Sequence, residues 1–435
     1  MILLKVLISA LKLIVLFFFF NNTQAQSVLS NKGGLIHTDA NAIIHVQGSV
    51  QSENNGTNEG RFDHQGTLNL TGDWINNNDD ESSILAGSEG NVVLIHDGLQ
   101  LIDGTQPTIF GSLTLAGGYN EKHLMTDAEV TGVLDLNNSE LQTFDNSIIV
   151  SNPLPEAIIW DSGYVASNTL GGYLFRSTND VKSYSFPVGS INLDPVYRPV
   201  VITPDALDSN MFGVRLADID PSLDDIGIGF TDVEGPFVRS TKVGIIEEIN
   251  DQYYHNIVKV FGSANPTIQL YYFSQDGDFS RAGTWKFDDN KWDILTAFTE
   301  ENTENLPEFQ DPDMQVIFND YANFENEVVA LINENDDVFS QLITPNGDGL
   351  NESFHVKDAE LYPENELKIY NRWGNLIFEQ IGYLNDWDAK AHNGLVINFG
   401  SAVQGDKVPS GVYFFDFKYN ADDQESLTGY FHVQY

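Results

Sequence analysis

The sequence predicts an all-β chain in three parts: an N-terminal parallel β-solenoid, a central β-sandwich and a further β domain at the C-terminal end. Three observations carry this. A glycine-led phrase recurs at near-regular intervals within residues 26–185, and short alternating runs bounded by Gly, Asn, Asp and Pro fill the remainder. The 3.6-residue periodicity of a long amphipathic helix is nowhere evident.

Residues 1–25 read as a secretory leader. Lys5 and Lys12 supply positive charge, residues 13–20 are an unbroken apolar run, and Thr23 and Ala25 place small side chains before a cleavage point at Gln26. Eight apolar residues are too few to span a bilayer. Within residues 26–185 the repeated phrases are Gly48-Ser49-Val50, Gly66-Thr67-Leu68-Asn69-Leu70, Gly90-Asn91-Val92-Val93-Leu94, Gly111-Ser112-Leu113-Thr114-Leu115 and Gly132-Val133-Leu134-Asp135-Leu136. Their glycines are 18, 24, 21 and 21 residues apart. A short strand repeated at that interval suits stacked coils, each covering the apolar face of its neighbour. The phrases are expected on successive coils, with Leu68, Leu70, Leu113, Leu115, Leu134 and Leu136 stacked inward. A sandwich of long hairpins is the alternative for the same stretch.

From Tyr184 the pattern changes to longer strands such as Ile268 to Phe273. A hairpin is expected from Gly283-Thr284-Trp285-Lys286-Phe287 through Asp288-Asp289-Asn290 to Lys291–Leu295. This defines a β-sandwich over residues 186–333, followed by a polar linker at Asn333-Glu334-Asn335-Asp336-Asp337.

The last hundred residues hold four motifs in order. Pro345-Asn346-Gly347-Asp348-Gly349-Leu350-Asn351 must turn sharply, because Asn, Asp and Gly tolerate positive φ. Tyr370-Asn371-Arg372-Trp373-Gly374 ends one alternating strand and leads into another, Leu376-Ile377-Phe378. Trp387-Asp388 and Pro409-Ser410-Gly411-Val412-Tyr413 follow. Tyr413, Phe415, Phe417 and Tyr419 fall on one strand face and Asp416 and Lys418 on the other. Trp373 and Trp387 are both expected in the core. Together the four motifs resemble the type B sorting domain of the Bacteroidetes type IX secretion system, also called the gliding-motility-associated C-terminal domain, over residues 338–435. The resemblance implies an Ig-like β-sandwich read as an export address by outer-membrane secretion machinery. Two departures stand out: Ala389 follows Trp387-Asp388 where the family usually has Gly, and Gln434-Tyr435 stand where it often has a basic residue.

Composition bounds the function. The net charge of −42, from 21 basic against 63 acidic residues, repels phosphate backbones and argues against nucleic acid as a partner. The absence of cysteine excludes disulfides, a thiolate nucleophile and cysteine-held metals. No Walker-type loop, His-Glu-x-x-His or Gly-x-Ser-x-Gly is present, and the nine histidines are scattered. The acidic pairs Asp218/Asp220 and Asp224/Asp225 have the composition of a glycosidase dyad but are expected by chance among so many acids. Asn346, Asp348 and Glu352 are candidate calcium ligands, with an Asx-type turn as the alternative, because an acid is missing at the first position and no Glu closes the loop. The expectation is a non-catalytic structural or adhesin-like protein, exported through the periplasm to the cell surface or medium. Its partners would be the type IX machinery and a surface glycan or protein. A carbohydrate-binding or polysaccharide-degrading passenger is the rival reading.

Overall fold

The computed structural model describes residues 27–435 apart from 82, 85–86, 88, 119–120, 168–170, 224–235, 243–245, 289, 296, 302–311, 320–325, 335–338, 392–395, 398–399, 402–406 and 421–425. The predicted leader, part of the linker and Asp224/Asp225 lie outside the described residues. Among those described, the only helical pieces are 3-10 turns such as Pro155–Ala157 and Ala359–Leu361.

The N-terminal region is a parallel β-solenoid with three faces. One is a seven-stranded sheet from Val28–Lys32 to Tyr164–Ala166, and a second is a six-stranded sheet from Ile43–Val46 to Ile158–Ile159. The third is carried by Leu35–Thr38 and Arg61–His64, with Ile84 bridging to Phe62, and in later coils by Thr108–Phe110, Ala128–Val130, Ile148–Val150 and Leu174–Thr178. On the second face the inward ladders run in register: Ile44, Leu68, Val92, Leu113 and Leu134 form one, and Val46, Leu70, Leu94 and Leu115 the other. Leu68 is 1 % exposed, and Leu70, Leu113, Leu115, Leu134 and Leu136 are fully buried. The phrase glycines are required by close approach of successive coils. A Cβ on Gly66 would lie 2.2 Å from the Ala42 carbonyl oxygen, and one on Gly132 would lie 2.6 Å from that of Gly111.

Gly48-Ser49-Val50 departs from the expectation. Its strand, Ser49–Glu53, pairs with Val28–Lys32 and Trp74–Asn77 on the first face, and it shares a coil with the Gly66 phrase instead of preceding it by one. The coils are also tied internally. Trp74 is fully buried, its ring centroid 5.7 Å from Phe62 and 5.4 Å from Phe110, and its Nε1 donates to Thr108 Oγ1 at 3.1 Å. At one corner Lys122 points inward, donating to the His96 carbonyl at 2.9 Å and Gln100 Oε1 at 2.8 Å. Burial pushes its ammonium down to about 8, against a smaller opposing pull from Asp97.

Solenoid and sandwich are not separate bodies. Leu174–Thr178 pairs in parallel with Ile148–Val150 on one side and antiparallel with Asn210–Ala217 on the other. One ten-stranded sheet therefore runs from the solenoid's third face through Tyr254–Phe261, Asn326–Glu334 and Arg281–Lys286 to an edge at Lys291–Ile294. The second sheet of the sandwich holds Tyr184–Phe186, Val200–Thr203, Thr267–Tyr272, Met314–Phe318 and Ala297–Glu301. One apolar core runs through both regions, from Val50 to Leu331, and a second, around Tyr254, Trp285 and Trp292, lies within the sandwich. Beneath it Arg198, 1 % exposed, donates to Asp276 Oδ2 at 2.7 Å and Oδ1 at 2.5 Å, and Tyr253 donates to Asp276 Oδ2 at 2.6 Å. The expected hairpin is present, pairing Arg281–Lys286 with Lys291–Ile294, and Asn290 takes the positive φ of 50° at its turn.

The C-terminal domain has its own core, from Ile343 to Val433. Its principal sheet orders Leu342–Ile343, Leu427–Val433, Gly411–Lys418, Glu366–Asn371 and Leu376–Ile381. The opposing layer is built from short bridged segments, Phe339 to Val356, Phe354 to Trp387 and Lys390 to Lys407. Tyr413, Phe415 and Phe417 turn inward as expected, with Tyr419 packed at the margin of the core.

Candidate sorting site at one pole of the C-terminal domain

The ladder registers bring three of the four motifs to one end of the principal sheet, and Trp387-Asp388 is tied to the Pro409 segment through the Val408 amide, which donates to the Ala389 carbonyl. Ile343, Gly411 and Val433 are neighbours across three strands, and Asn371 pairs with Tyr413 beside them. The Pro345 loop therefore leaves the sheet where the Asn371 turn and the Pro409 segment also lie.

Each motif has a local cause. In the Pro345–Asn351 loop Gly347 and Gly349 both adopt φ of 85° and Asn351 51°, the left-handed region that glycine and asparagine tolerate. Asn346 Oδ1 accepts from the Asp348 amide at 2.9 Å, and Asp348 Oδ1 accepts from the Leu350 amide at 2.8 Å. Glu352 Oε1 accepts from the Gly347 amide at 2.6 Å and the Gly349 amide at 3.0 Å. Asp348 Oδ2 takes a third kind of donor, Asn346 Nδ2, at 2.9 Å. These hydrogen bonds, that from Leu350 foremost, hold the Asp348 carboxyl below its ordinary value. The loop is an Asx-type turn in which Asn346 Oδ1, both Asp348 carboxylate oxygens and Glu352 Oε1 accept from its own N–H groups. Among the described residues no group of three His, Cys, Asp or Glu side chains is placed to hold a metal ion.

Asn371 is buried, and its Oδ1 accepts from the Trp373 and Asn375 amides, each at 3.0 Å. Gly374, at φ 81°, completes that turn. Trp373 corrects the expectation of a core residue: it is 49 % exposed, with the Arg372 guanidinium 4.2 Å over its ring. The turn's polar bonds are made by backbone and Asn371, so the indole is projected outward from the hairpin tip. A shallow groove runs between it and the Pro409 segment, lined by Asn371, Arg372, Trp373, Pro409, Gly411 and Tyr413. Tyr413 donates to the Pro409 carbonyl at 2.7 Å and so fixes the segment that precedes its own strand.

Trp387 is core, 2 % exposed, its Nε1 donating to the Lys390 carbonyl at 2.8 Å. Asp388 pairs with Lys390 beside it. Ala389, standing where the family usually has Gly, is fully buried with φ of 62°. The position demands the left-handed conformation, which explains the family's glycine. Two residues that sequence reasoning missed hold the pole together. Lys407 donates to the Pro345 carbonyl at 2.5 Å and lies 4.8 Å over the Tyr435 ring. Tyr383, fully buried, donates to the Phe354 carbonyl and accepts from the Trp387 amide at 3.3 Å. Neither belongs to a repeated or alternating pattern that would have singled it out.

Both members of the acidic pair that the described residues include are engaged by neighbouring side chains. Asp220 forms a bidentate bond with Arg239, at 2.9 and 2.7 Å, and Asp218 accepts from Asn192 at 2.6 Å and from Ser190.

A small β domain with an independent core and a cluster of ordered turns at one pole has the build of a recognition module. Residues 338–433 match the CHU_C type IX secretion signal domain family. No curated protein and no solved structure is a significant match to the chain. The chain thus carries a type IX sorting domain, which implies dealings with the type IX secretion system and export out of the cell or to its surface.

Proposed function

We propose that this is a non-catalytic, adhesin-like surface protein whose solenoid–sandwich unit is the passenger and whose C-terminal domain is the address. The observation that carries the reading is that residues 343–433 enclose a core of their own, apart from every buried cluster of the passenger. Support for a binding role comes from the outward side of the solenoid's second face. Thr67, Asn91 and Ser112 form one polar row in register, and Asn69, Thr114 and Asp135 stand in the next, interrupted by Val93. Asn91 and Thr114 are joined at 3.0 Å across coils. Hydrogen-bonding groups repeated at the strand spacing of about 4.8 Å suit a ligand that is itself periodic, such as a surface glycan.

The test has two arms. Deleting residues 338–435 should retain the protein inside the cell envelope, and fusing that segment to a leader-bearing fluorescent protein should export it. Surface delivery of the truncated chain, or retention of the fusion in a host with the machinery, would overturn the address. The exported chain should bind a glycan or protein panel without turnover, and Asn69→Lys with Thr114→Lys should weaken binding at least tenfold. Reproducible turnover lost on a single Asp or Glu substitution would defeat the non-catalytic reading.

A further inference from the structure

The sorting domain touches the passenger along the last hairpin of the ten-stranded sheet. At one end Arg281, its side chain 4 % exposed, donates to Glu360 Oε1 at 2.8 Å and to Asp358. Glu360 is held from the other side by Asn385 Nδ2 at 2.9 Å, so its carboxylate is fixed to meet the guanidinium. Burial pushes the imidazole of His355 in the sorting domain down, against smaller opposing pulls from Glu360 and from the hairpin's Asp293. At the other end Lys242, Lys291, Ser240 and Thr241 of the sandwich line one cleft with Gly347, Asp348, Gly349 and Leu350. In a chain with only 21 basic residues against 63 acids, Arg281 thus pairs with Asp358 and Glu360, while Lys242 and Lys291 share a cleft with the Pro345–Asn351 loop. Opposite charges so arranged fix register between two surfaces. A guanidinium buried between two carboxylates is costly to leave without them.

From this we infer that the sorting domain is latched to its own passenger by Arg281 against Asp358 and Glu360, and that the latch holds the Pro345–Asn351 loop over the lysine side of the sandwich. The secretion machinery meets that loop fully only when the latch opens. The inference rests on reading residues 338–435 as the address, and it concerns how that address is presented.

The chain has no cysteine, so spin labels can be placed at Leu207→Cys on the sandwich and Glu364→Cys on the sorting domain, both exposed in the structure. The full chain should give one narrow distance distribution. Arg281→Glu should at least double its width, and so should Asp358→Asn with Glu360→Gln. The second variant leaves the sandwich untouched, and Asn keeps the positive φ of 62° at position 358. A distribution as narrow as that of the parent in the folded double variant would overturn the latch. In pulse-chase export both variants should reach the surface at least twofold faster, and an unchanged or slower rate would overturn the gating role. The fused segment, which lacks the passenger, separates the two ideas: its retention would sink the address, whereas its export beside unaltered latch variants would sink only the latch.

Discussion

Trp373 and Trp387 sit 14 residues apart in one domain and should respond to truncation in opposite ways. Trp387 is 2 % exposed, with ring centroids 5.8 Å from Phe378, 5.7 Å from Phe431 and 6.4 Å from Tyr413. Trp387→Ala removes that packing at about 3–5 kcal/mol. It also leaves the Lys390 carbonyl without its indole donor, which adds roughly 1 kcal/mol. A domain of this size has roughly 5–14 kcal/mol in hand, so the variant loses a third or more of its stability. Trp373 is half exposed, and its loss removes a surface contact with Arg372 of about 0.5–1 kcal/mol. Urea denaturation of the purified full chain, followed by far-ultraviolet circular dichroism, measures both, and cell fractionation reads export. Trp387→Ala should accumulate in the periplasm as an unstable protein. Trp373→Ala should fold normally, and any export defect it shows belongs to recognition at the pole. A cost above about 2 kcal/mol for Trp373→Ala, or below about 1 kcal/mol for Trp387→Ala, would refute the assignment of one to the surface and the other to the core.

Three further outcomes are expected. Ala389→Gly relieves about 1–2 kcal/mol of left-handed strain but forfeits a buried methyl worth about 0.8 kcal/mol and loosens the unfolded chain by about 0.4–1 kcal/mol. It should therefore shift stability by less than about 1 kcal/mol, whereas the β-branched Ala389→Val should clearly destabilise in the same denaturation assay. Lys122 titrates near 8 when folded and near 10.5 when unfolded; between those values the unfolded state binds more protons, so its contribution to stability rises with pH across that window. Urea midpoints at pH 7, 8.5 and 9.5 should show that rise for the parent relative to Lys122→Met, and parallel curves would contradict it. Because the Asp348 and Glu352 oxygens serve the loop's own amides, chelator treatment should leave the thermal midpoint unchanged, and Asp348→Ala should lower it only slightly and by the same amount with or without calcium.

The inward ladders were legible because alternation assigns a face and the glycines mark where coils touch. Gly48 misled for the same reason: a Gly-Ser-Val triplet states that a strand begins, not which of three faces it lies on. The fusion of solenoid and sandwich could not be read, since Leu174–Thr178 finds its antiparallel partner at Asn210–Ala217 across two intervening strands of the other sheet. The Pro345 and Asn371 motifs were legible as turns, and Ala389 as a departure. Their convergence depends on registers such as Gly411 with Val433, which local pattern does not encode. Trp373 was misplaced by weighing its size over its setting, a turn of Asn, Arg and Gly whose chemistry already pointed outward.

The solenoid's inter-coil hydrogen bonds run along the stack, and this decides how it would respond to being pulled. A load applied from its free end toward the sandwich opens one coil's ladders before the next is strained. The junction strand is clasped from both sides and yields last. With 21 residues between successive phrases from Gly90 to Gly132, each opened coil releases roughly 70 Å of chain. Pulled in this way, the chain would lengthen in steps, shedding force while the far end stays gripped.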